Sequence, residues 1–222
     1  MIIWAGSWPR SGSTLFRIVW HTYTGLPTYS YANDPILAKP ALDPYVGQKK
    51  LPVAWDKMGQ RFDTEAKIYL IKTHFDSMAV DPNNTMRKIL IVRDARAAIV
   101  SLAYYTSWRK KRRFQPELRR IIQQARWVES IKSWLPVSQA VVQYERLQSE
   151  PQSTLVKVLD SLEIELPLRE RKMPEFRMLH NVLPLFFREG IEGGWRNVLT
   201  VAQEAAIWKK CGEQMEQLGY ER

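Results

Sequence analysis

The chain has 222 residues, of which 45% are hydrophobic and 25% are charged, and these proportions exclude a disordered or a fibrous protein. This length predicts a single domain spanning residues 1–222, because two ordinary domains would need a longer chain. Lysine and arginine total 33 against 23 acidic residues, a formal charge of +10, which predicts a polyanionic ligand or partner without identifying it.

The sequence also predicts a cytoplasmic protein without a membrane span. No run reaches the ~18 apolar residues that cross a bilayer, and the first residues lack the basic and apolar regions of a secretion signal. Cys211 is the single cysteine, so it can form no internal disulfide, and its surroundings lack the spacing of a metal site. This cysteine usage predicts a reducing compartment.

Four short apolar runs rich in β-branched residues predict strands that are buried on both faces. They occupy residues 2–5, 68–71, 89–92 and 140–142. Segments with helical spacing of apolar residues lie between and after them, at residues 14–23, 95–105, 116–134, 153–162 and 201–218. This alternation predicts an α/β fold, a three-layer sandwich with a central parallel sheet and helices on both faces. Residues 25–55 show no clear period and predict a long connection that covers a site.

The first candidate site is the glycine- and serine-rich segment 6–14, between the first strand and the first helix. Free backbone amides at a helix start, together with the helix dipole, can surround a phosphate, and Arg10 adds a full positive charge. The segment is not a Walker A loop, because Ser13 follows Gly12 where that pattern requires lysine. A magnesium-dependent NTPase is therefore disfavoured. An ordinary turn with a serine or threonine cap is the structural alternative.

Two further strand ends carry candidate residues. Lys72 and His74 end the second strand, at the sheet edge where open α/β folds bind ligands. Imidazole suits proton abstraction near neutral pH, and Lys72 can stabilise a leaving phosphate. Arg93 ends the third strand and Ser101 lies two turns into the next helix, so both can reach one phosphate along that helix. An exposed arginine before an Asp-capped helix is the alternative for Arg93.

The last candidate segment is a loop near the C-terminal end, whereas the two other histidines are not candidates. His21 and His180 are interpreted as structural, because neither follows a predicted strand. Residues 187–197 form a glycine-rich segment with two arginines and a tryptophan. Such a loop can fold its amides and Arg188 over an anion, although surface turns can have the same composition.

Together, five segments resemble in content and order the motifs of cytosolic sulfotransferases, which use 3′-phosphoadenosine 5′-phosphosulfate (PAPS) as the donor. They are residues 9–14, 72–74, 93–101, 144–145 and 188–197, which span nearly the whole chain. The resemblance implies a P-loop-like fold and transfer of a sulfuryl group from PAPS to a hydroxyl or amine of a small-molecule acceptor. It implies no metal, and the product nucleotide would be adenosine 3′,5′-bisphosphate (PAP).

The resemblance also implies a role for each matching residue. His74 is the expected catalytic base, and Lys72 and Arg10 neutralise charge during transfer. Tyr144 is expected to contact the adenine region. The 5′-phosphosulfate is assigned to Arg10, Ser11, Gly12, Ser13 and Thr14, and the 3′-phosphate to Arg93, Ser101, Arg188 and Gly190.

The sequence departs from the family pattern at several of these positions. Arg10 stands where the family usually has lysine, and Glu189 replaces a lysine beside the 3′-phosphate. Leu15 replaces a tryptophan that would stack on adenine, and Phe176 could supply the missing ring. The segment containing Arg196, Thr200 and Val201 resembles a short dimerisation motif, which makes a homodimer possible, but Ala205 stands where that motif ends in glutamate.

Two other functions compete with the enzyme interpretation. Residues 109–113 are all basic and lie between Trp108 and Phe114, a pattern compatible with a nucleic-acid-binding surface, although a run of charges is usually a solvated face. The concentration of phosphate-binding residues at strand ends favours the enzyme. A relative that binds the nucleotide without turnover also remains open, because of Leu15 and Glu189. Residues 25–55 and 104–114 are expected to line the acceptor pocket, and they suit an aromatic, polar or acidic metabolite.

Overall fold

A parallel sheet forms the centre of the protein in the computed structural model, which describes residues 1–31, 42–49, 67–182, 184, 187–188 and 193–222. Its strands are β1 (Ile2–Ser7), β2 (Thr28–Ser30), β3 (Tyr69–Thr73), β4 (Arg87–Val92) and β5 (Ala140–Gln143). They lie in the order β2-β3-β1-β4-β5. The four predicted strands are confirmed, and β2 is an additional strand inside the predicted connection 25–55.

Helices join and cover these strands. They are α1 (Ser13–Thr24), α2 (Asp43–Val46), α3 (Ser77–Val80), α4 (Ala95–Arg109), α5 (Phe114–Gln124), α6 (Trp127–Trp134), α7 (Tyr144–Ser149), α8 (Pro151–Ser161), α9 (Phe176–Val182) and α10 (Val201–Gln217). The single helix predicted for residues 116–134 is wrong: Ala125 has an extended backbone, with φ −61 and ψ 127, so α5 and α6 are separate. None of the described helices is both long enough and apolar enough to span a bilayer.

Alternating side chains of β1 build the core on both faces of the sheet. Trp4 is fully buried on one face, in a cluster with Ile99 of α4 and Met215 of α10. Ile3 points to the opposite face and packs in a cluster with Trp20 of α1 and Leu155 of α8. Such two-sided burial requires helices on both faces of a parallel sheet. The predicted three-layer sandwich is therefore confirmed.

Parallel pairing places the carboxyl ends of the strands at one edge of the sheet. In the register of β1 with β3, Gly6 is the partner of Thr73, and in the register of β1 with β4, Ser7 is the partner of Ile91. After β1 the chain forms β2 and β3, which lie to one side of β1 in the strand order, and it then crosses to β4 on the other side of β1. Crevices at such reversals are where open α/β sheets bind ligands.

Candidate active site

A cavity of about 590 Å³ opens at this edge of the sheet, within the range of roughly 300–1,000 Å³ typical of ligand sites. Segments distant in sequence form its wall, including the β1–α1 connection, the end of β3, and helices α4 and α9. Ser11 does not line the cavity and is buried, and Gly190 lies outside the described residues. The remaining predicted residues all line it, namely Arg10, Gly12, Ser13, Thr14, Lys72, His74, Arg93, Ser101, Tyr144 and Arg188.

The glycine-containing segment before α1 has an unusual backbone. Arg10 has φ 68 and Gly12 has φ 105, so two residues of the loop adopt the left-handed region. Gly12 is the N-cap of α1 and no side chain caps the helix there. The first amides of a helix have no partner within the helix. An anion bound at this end of α1 would satisfy amides that no capping side chain reaches.

Gly12 is also constrained by its neighbour Tyr144. A Cβ atom at position 12 would lie 2.6 Å from Cδ2 of Tyr144, in addition to the strain of φ 105. Gly12→Ala should therefore lower the free energy of unfolding by about 1–3 kcal/mol and weaken anion binding. Gly219→Ala is the matched control, because φ there is +80 but the nearest atom to an added Cβ is 3.8 Å away. Urea denaturation of both variants separates the clash from the strain, and an equal loss would show that the Tyr144 contact is not limiting.

His74 follows β3 directly and is fixed by the end of β1. Its Nδ1 lies 2.7 Å from the carbonyl oxygen of Ser7 and 3.2 Å from the Oγ of the same residue. Because a carbonyl can only accept, Nδ1 carries the proton and Nε2 of the neutral ring keeps its lone pair. The sheet pairing therefore selects the tautomer that a general base needs.

The surroundings of His74 favour its neutral form. The residue lies on the cavity wall, where desolvation of the ring and the nearby charges of Lys72 and Arg10 lower the pKa of His74 below its usual 6.5. The hydrogen bond to Ser7 acts in the opposite direction and is outweighed. At neutral pH the imidazole is therefore uncharged and able to accept a proton.

Arg10, Ser101 and Arg93 form one connected group in the cavity wall. Arg10 donates from Nε to Oγ of Ser101 at 3.1 Å, and Arg93 donates from Nη1 to the carbonyl oxygen of Arg10 at 3.4 Å. The guanidinium of Arg93 stacks on the ring of Tyr144 at 4.1 Å from its centroid. Its buried Nε has no hydrogen-bond partner among the described residues. A buried donor of this kind fits an anionic ligand.

A network that the sequence did not predict fixes the start of α4 beside Arg93. Glu145 accepts from the Tyr220 hydroxyl at 2.9 Å and from the Asp94 amide at 3.4 Å. Burial raises the pKa of Glu145. Arg96 pairs with Asp94 at 2.8 Å and stacks on Trp195 at 4.1 Å. The C-terminal residues and the last loop are thereby tied to the start of α4, which follows Arg93 and carries Ser101.

Arg188 lines the cavity and packs on an aromatic pair that does not itself line it. The guanidinium of Arg188 lies 3.6 Å from the ring centroid of Tyr104, which in turn stacks on Phe114 with the centroids 4.0 Å apart. Leu15 and Phe176 both line the cavity. Glu189 lies outside the described residues. In the two other histidines, Nδ1 lies within hydrogen-bond distance of a backbone carbonyl oxygen, at 2.9 Å for His21 and 2.6 Å for His180.

The fold and the site define an α/β protein in which a glycine-containing loop, several cations and a histidine meet at the reversal of the sheet, where open α/β folds bind ligands. The sequence profile of the sulfotransferase domain family matches residues 3–219. The chain therefore belongs to the sulfotransferase domain family, and the resemblance drawn from the motifs is confirmed.

Individual relatives agree with this family assignment. Part of the chain is 29% identical to sulfotransferase 2A6 of Rattus norvegicus, over 40% of this chain and 39% of that protein. A similar part is 30% identical to sulfotransferase 2A1 of Macaca fascicularis, over 41% of this chain and 40% of that protein. The match thus spans about two fifths of the length of these curated relatives.

Solved structures show the same fold at low identity. A mouse sulfotransferase, SULT7A1, complexed with PAP superimposes with a TM-score of 0.61 at 15% identity, over 96% of this chain and 83% of that chain. A retinol dehydratase in complex with androsterone and the inactive cofactor PAP gives a TM-score of 0.61 at 17% identity, over 96% of this chain and 80% of that chain. The P-loop-like fold is confirmed by these neighbours.

Proposed function

We propose that this protein transfers a sulfuryl group from PAPS to a hydroxyl or amine of a small-molecule acceptor. The observation that carries this proposal is the position of His74, held by the carbonyl oxygen of Ser7 through Nδ1, in one cavity with Arg10, Lys72 and Arg93. Family membership supports sulfuryl transfer. The PAP named in two of the neighbouring structures supports a PAPS-type donor.

The donor would lie along the carboxyl edge of the sheet. Its 5′-phosphosulfate would meet the amides and hydroxyls that follow β1, at residues 11–14, with Arg10 beside them. Its 3′-phosphate would meet Arg93, Ser101 and Arg188, whose cations and hydroxyl line the same cavity. The assignment of Gly190 to the 3′-phosphate stays a prediction. The buried Nε of Arg93, a residue of the cavity wall, has no hydrogen-bond partner among the described residues, which supports the fit of an anionic donor.

The adenine would lie near Tyr144 and the aromatic ring of Phe176. Phe176 is 40% exposed and lines the cavity, as does Leu15 on α1. A ring on α9 would replace the stacking surface that the family usually places at the position of Leu15. The departure at Leu15 is thus compatible with donor binding.

The transfer step uses the acid–base properties of this wall. Nε2 of His74 would accept the proton of the acceptor while the oxygen or nitrogen nucleophile forms a bond to sulfur. The bond between sulfur and the bridging phosphate oxygen breaks in line, and PAP leaves. Lys72 and Arg10 would neutralise the charge that grows on the bridging and leaving oxygens. The products are PAP and the sulfated acceptor, which is a sulfate ester or a sulfamate.

Calorimetric titration with PAP tests the donor site directly. Micromolar or tighter binding is expected for PAP, and clearly weaker binding for adenosine 5′-monophosphate, because the latter lacks the 3′-phosphate. A short single-stranded DNA is the third ligand, since the basic run 109–113 allows a nucleic-acid surface. DNA binding with steep salt dependence, together with no binding of PAP, would overturn the proposal.

The homodimer and the cytoplasmic location stay predictions.

A further inference from the structure

Arg109 extends the positive charge of the active-site cavity beyond the donor residues. It is the last residue of α4 and lines the same cavity as His74. Its guanidinium forms no ion pair within the described part of the chain. Of the five consecutive basic residues 109–113, Arg109 alone reaches this cavity. Arg109 is not among the residues that the proposed function assigns to the donor.

The basic turn formed by residues 109–113 has a defined conformation. Arg112 donates its amide to the carbonyl oxygen of Ser107 at 2.8 Å, and Lys111 adopts a left-handed φ of 50. Glu117, which is buried, is paired with Arg112 at 3.2 Å and with Arg120 at 2.6 Å. Glu117 is therefore occupied by two other arginines, and among the described ion pairs none involves Arg109.

The spacing along α4 separates Arg109 from the donor residues. Ser101, Tyr105 and Arg109 follow one another at four-residue intervals, so they lie on one side of the helix about 6 Å apart along its axis. All three line the cavity. Ser101 accepts a hydrogen bond from Arg10, and the Arg10 guanidinium lies 5.2 Å from the ring centroid of Tyr105. Arg109 thus lies about two turns along α4 from Ser101, with the aromatic ring of Tyr105 between them.

We propose that the acceptor is a small anionic molecule whose carboxylate, phosphate or sulfate group binds Arg109 while its hydroxyl or amine faces His74. This inference rests on the proposed function. Arginine binds such oxyanions with two parallel hydrogen bonds, and Tyr105 offers a packing surface for an aromatic or apolar body. A small acceptor fits better than a polyanionic chain, because Lys111 and Arg112 line a second cavity of about 430 Å³ and not the cavity that contains His74.

Three phenols of similar size test the charge preference. They are 3-(4-hydroxyphenyl)propionate, its primary amide and tyramine, which share the reacting hydroxyl and carry negative, neutral and positive ends. KM and kcat are measured with PAPS, and Kd is measured with PAP-saturated protein. The propionate should have a KM and a Kd roughly tenfold or more below those of the amide, as for a charged hydrogen bond, with kcat similar. Arg109→Gln should abolish this difference, and Arg109→Glu should make tyramine the preferred ligand.

Lys110→Gln is the matched control, because it removes the same charge from a neighbour that does not line the cavity. It should leave the preference for the propionate unchanged. The inference is overturned if the three phenols bind wild-type protein equally or not at all, or if Lys110→Gln acts as strongly as Arg109→Gln. It is also overturned if single-stranded DNA competes with the phenols and Lys111→Gln weakens that competition while Arg109→Gln does not.

The two proposals fail in different ways in this experiment. If PAP binds and the neutral amide is sulfated without any preference for the anion, only the role of Arg109 is wrong. If PAP does not bind while the propionate still binds in an Arg109-dependent manner, the anion site stands and the transfer function is wrong.

Discussion

His74→Ala should lower kcat by about 10²–10⁴-fold, the usual contribution of a general base, and should leave the Kd for PAP nearly unchanged. The reason is the position of the ring: Nδ1 donates to the Ser7 carbonyl oxygen at 2.7 Å, so Nε2 is the nitrogen available to an acceptor. The charges of Lys72 and Arg10, which are expected to contact the donor, remain in the variant. Steady-state kinetics with a phenol and calorimetry with PAP measure the two effects separately.

His21→Ala is a suitable control for this experiment. His21 also places Nδ1 on a carbonyl oxygen, that of Leu26 at 2.9 Å, but it does not line the cavity. Its replacement should affect stability and leave kcat of the folded protein unchanged. If His74→Ala instead reduces PAP binding as much as turnover, the histidine supports the cavity wall and does not act as the base.

The central part of the fold was predictable because its strands are buried on both faces. Continuous apolar runs such as that of β4 have few alternatives in a chain of this composition. β2 was not predictable, since Thr28–Ser30 contains only three residues and all of them carry a hydroxyl group. Its place depends on the fully buried Arg17 of α1, which donates from Nε to Oγ1 of Thr28 at 2.9 Å. A contact of this kind leaves no periodic pattern.

The division of the predicted helix 116–134 illustrates another limit of sequence patterns. Leu118, Ile121, Ala125 and Trp127 are all buried, so the apolar spacing continues across the break between α5 and α6. Neither glycine nor proline marks it. The extended backbone of Ala125 is a property of tertiary packing, and only the structure reveals it.

The candidate site was predictable to the extent that its residues follow strands. Parallel strands bring their carboxyl ends to one edge, and this rule places His74, Arg93 and Arg10 together without further information. The partners of these residues were not predictable. Ser7 and His74 are separated by 67 positions, and the pairing of Tyr220 with Glu145 joins the C-terminal residues to the start of α7. Such contacts depend on the complete tertiary structure.

Arg93→Ala should weaken PAP binding by about 10- to 100-fold, because a hydrogen bond to a charged group contributes roughly 1.5–3 kcal/mol. The stacking of Arg93 on Tyr144, at 4.1 Å from the ring centroid, holds the guanidinium in place before the ligand arrives. The buried Nε of this residue has no hydrogen-bond partner among the described residues, and we expect it to bind the 3′-phosphate. Binding of adenosine 5′-monophosphate should therefore change little, and calorimetry with both nucleotides measures this difference.

Arg113→Ala provides the comparison for Arg93→Ala, since Arg113 is an exposed arginine of the basic turn that does not line the cavity. It removes the same formal charge, so a general electrostatic effect would weaken PAP binding equally in both variants. Arg93→Lys should be intermediate, because lysine keeps the charge but loses both the stacking and the planar pair of donors. If Arg93→Ala instead weakens PAP and adenosine 5′-monophosphate to the same extent, Arg93 acts on the backbone of Arg10, to which it donates at 3.4 Å, and not on the 3′-phosphate.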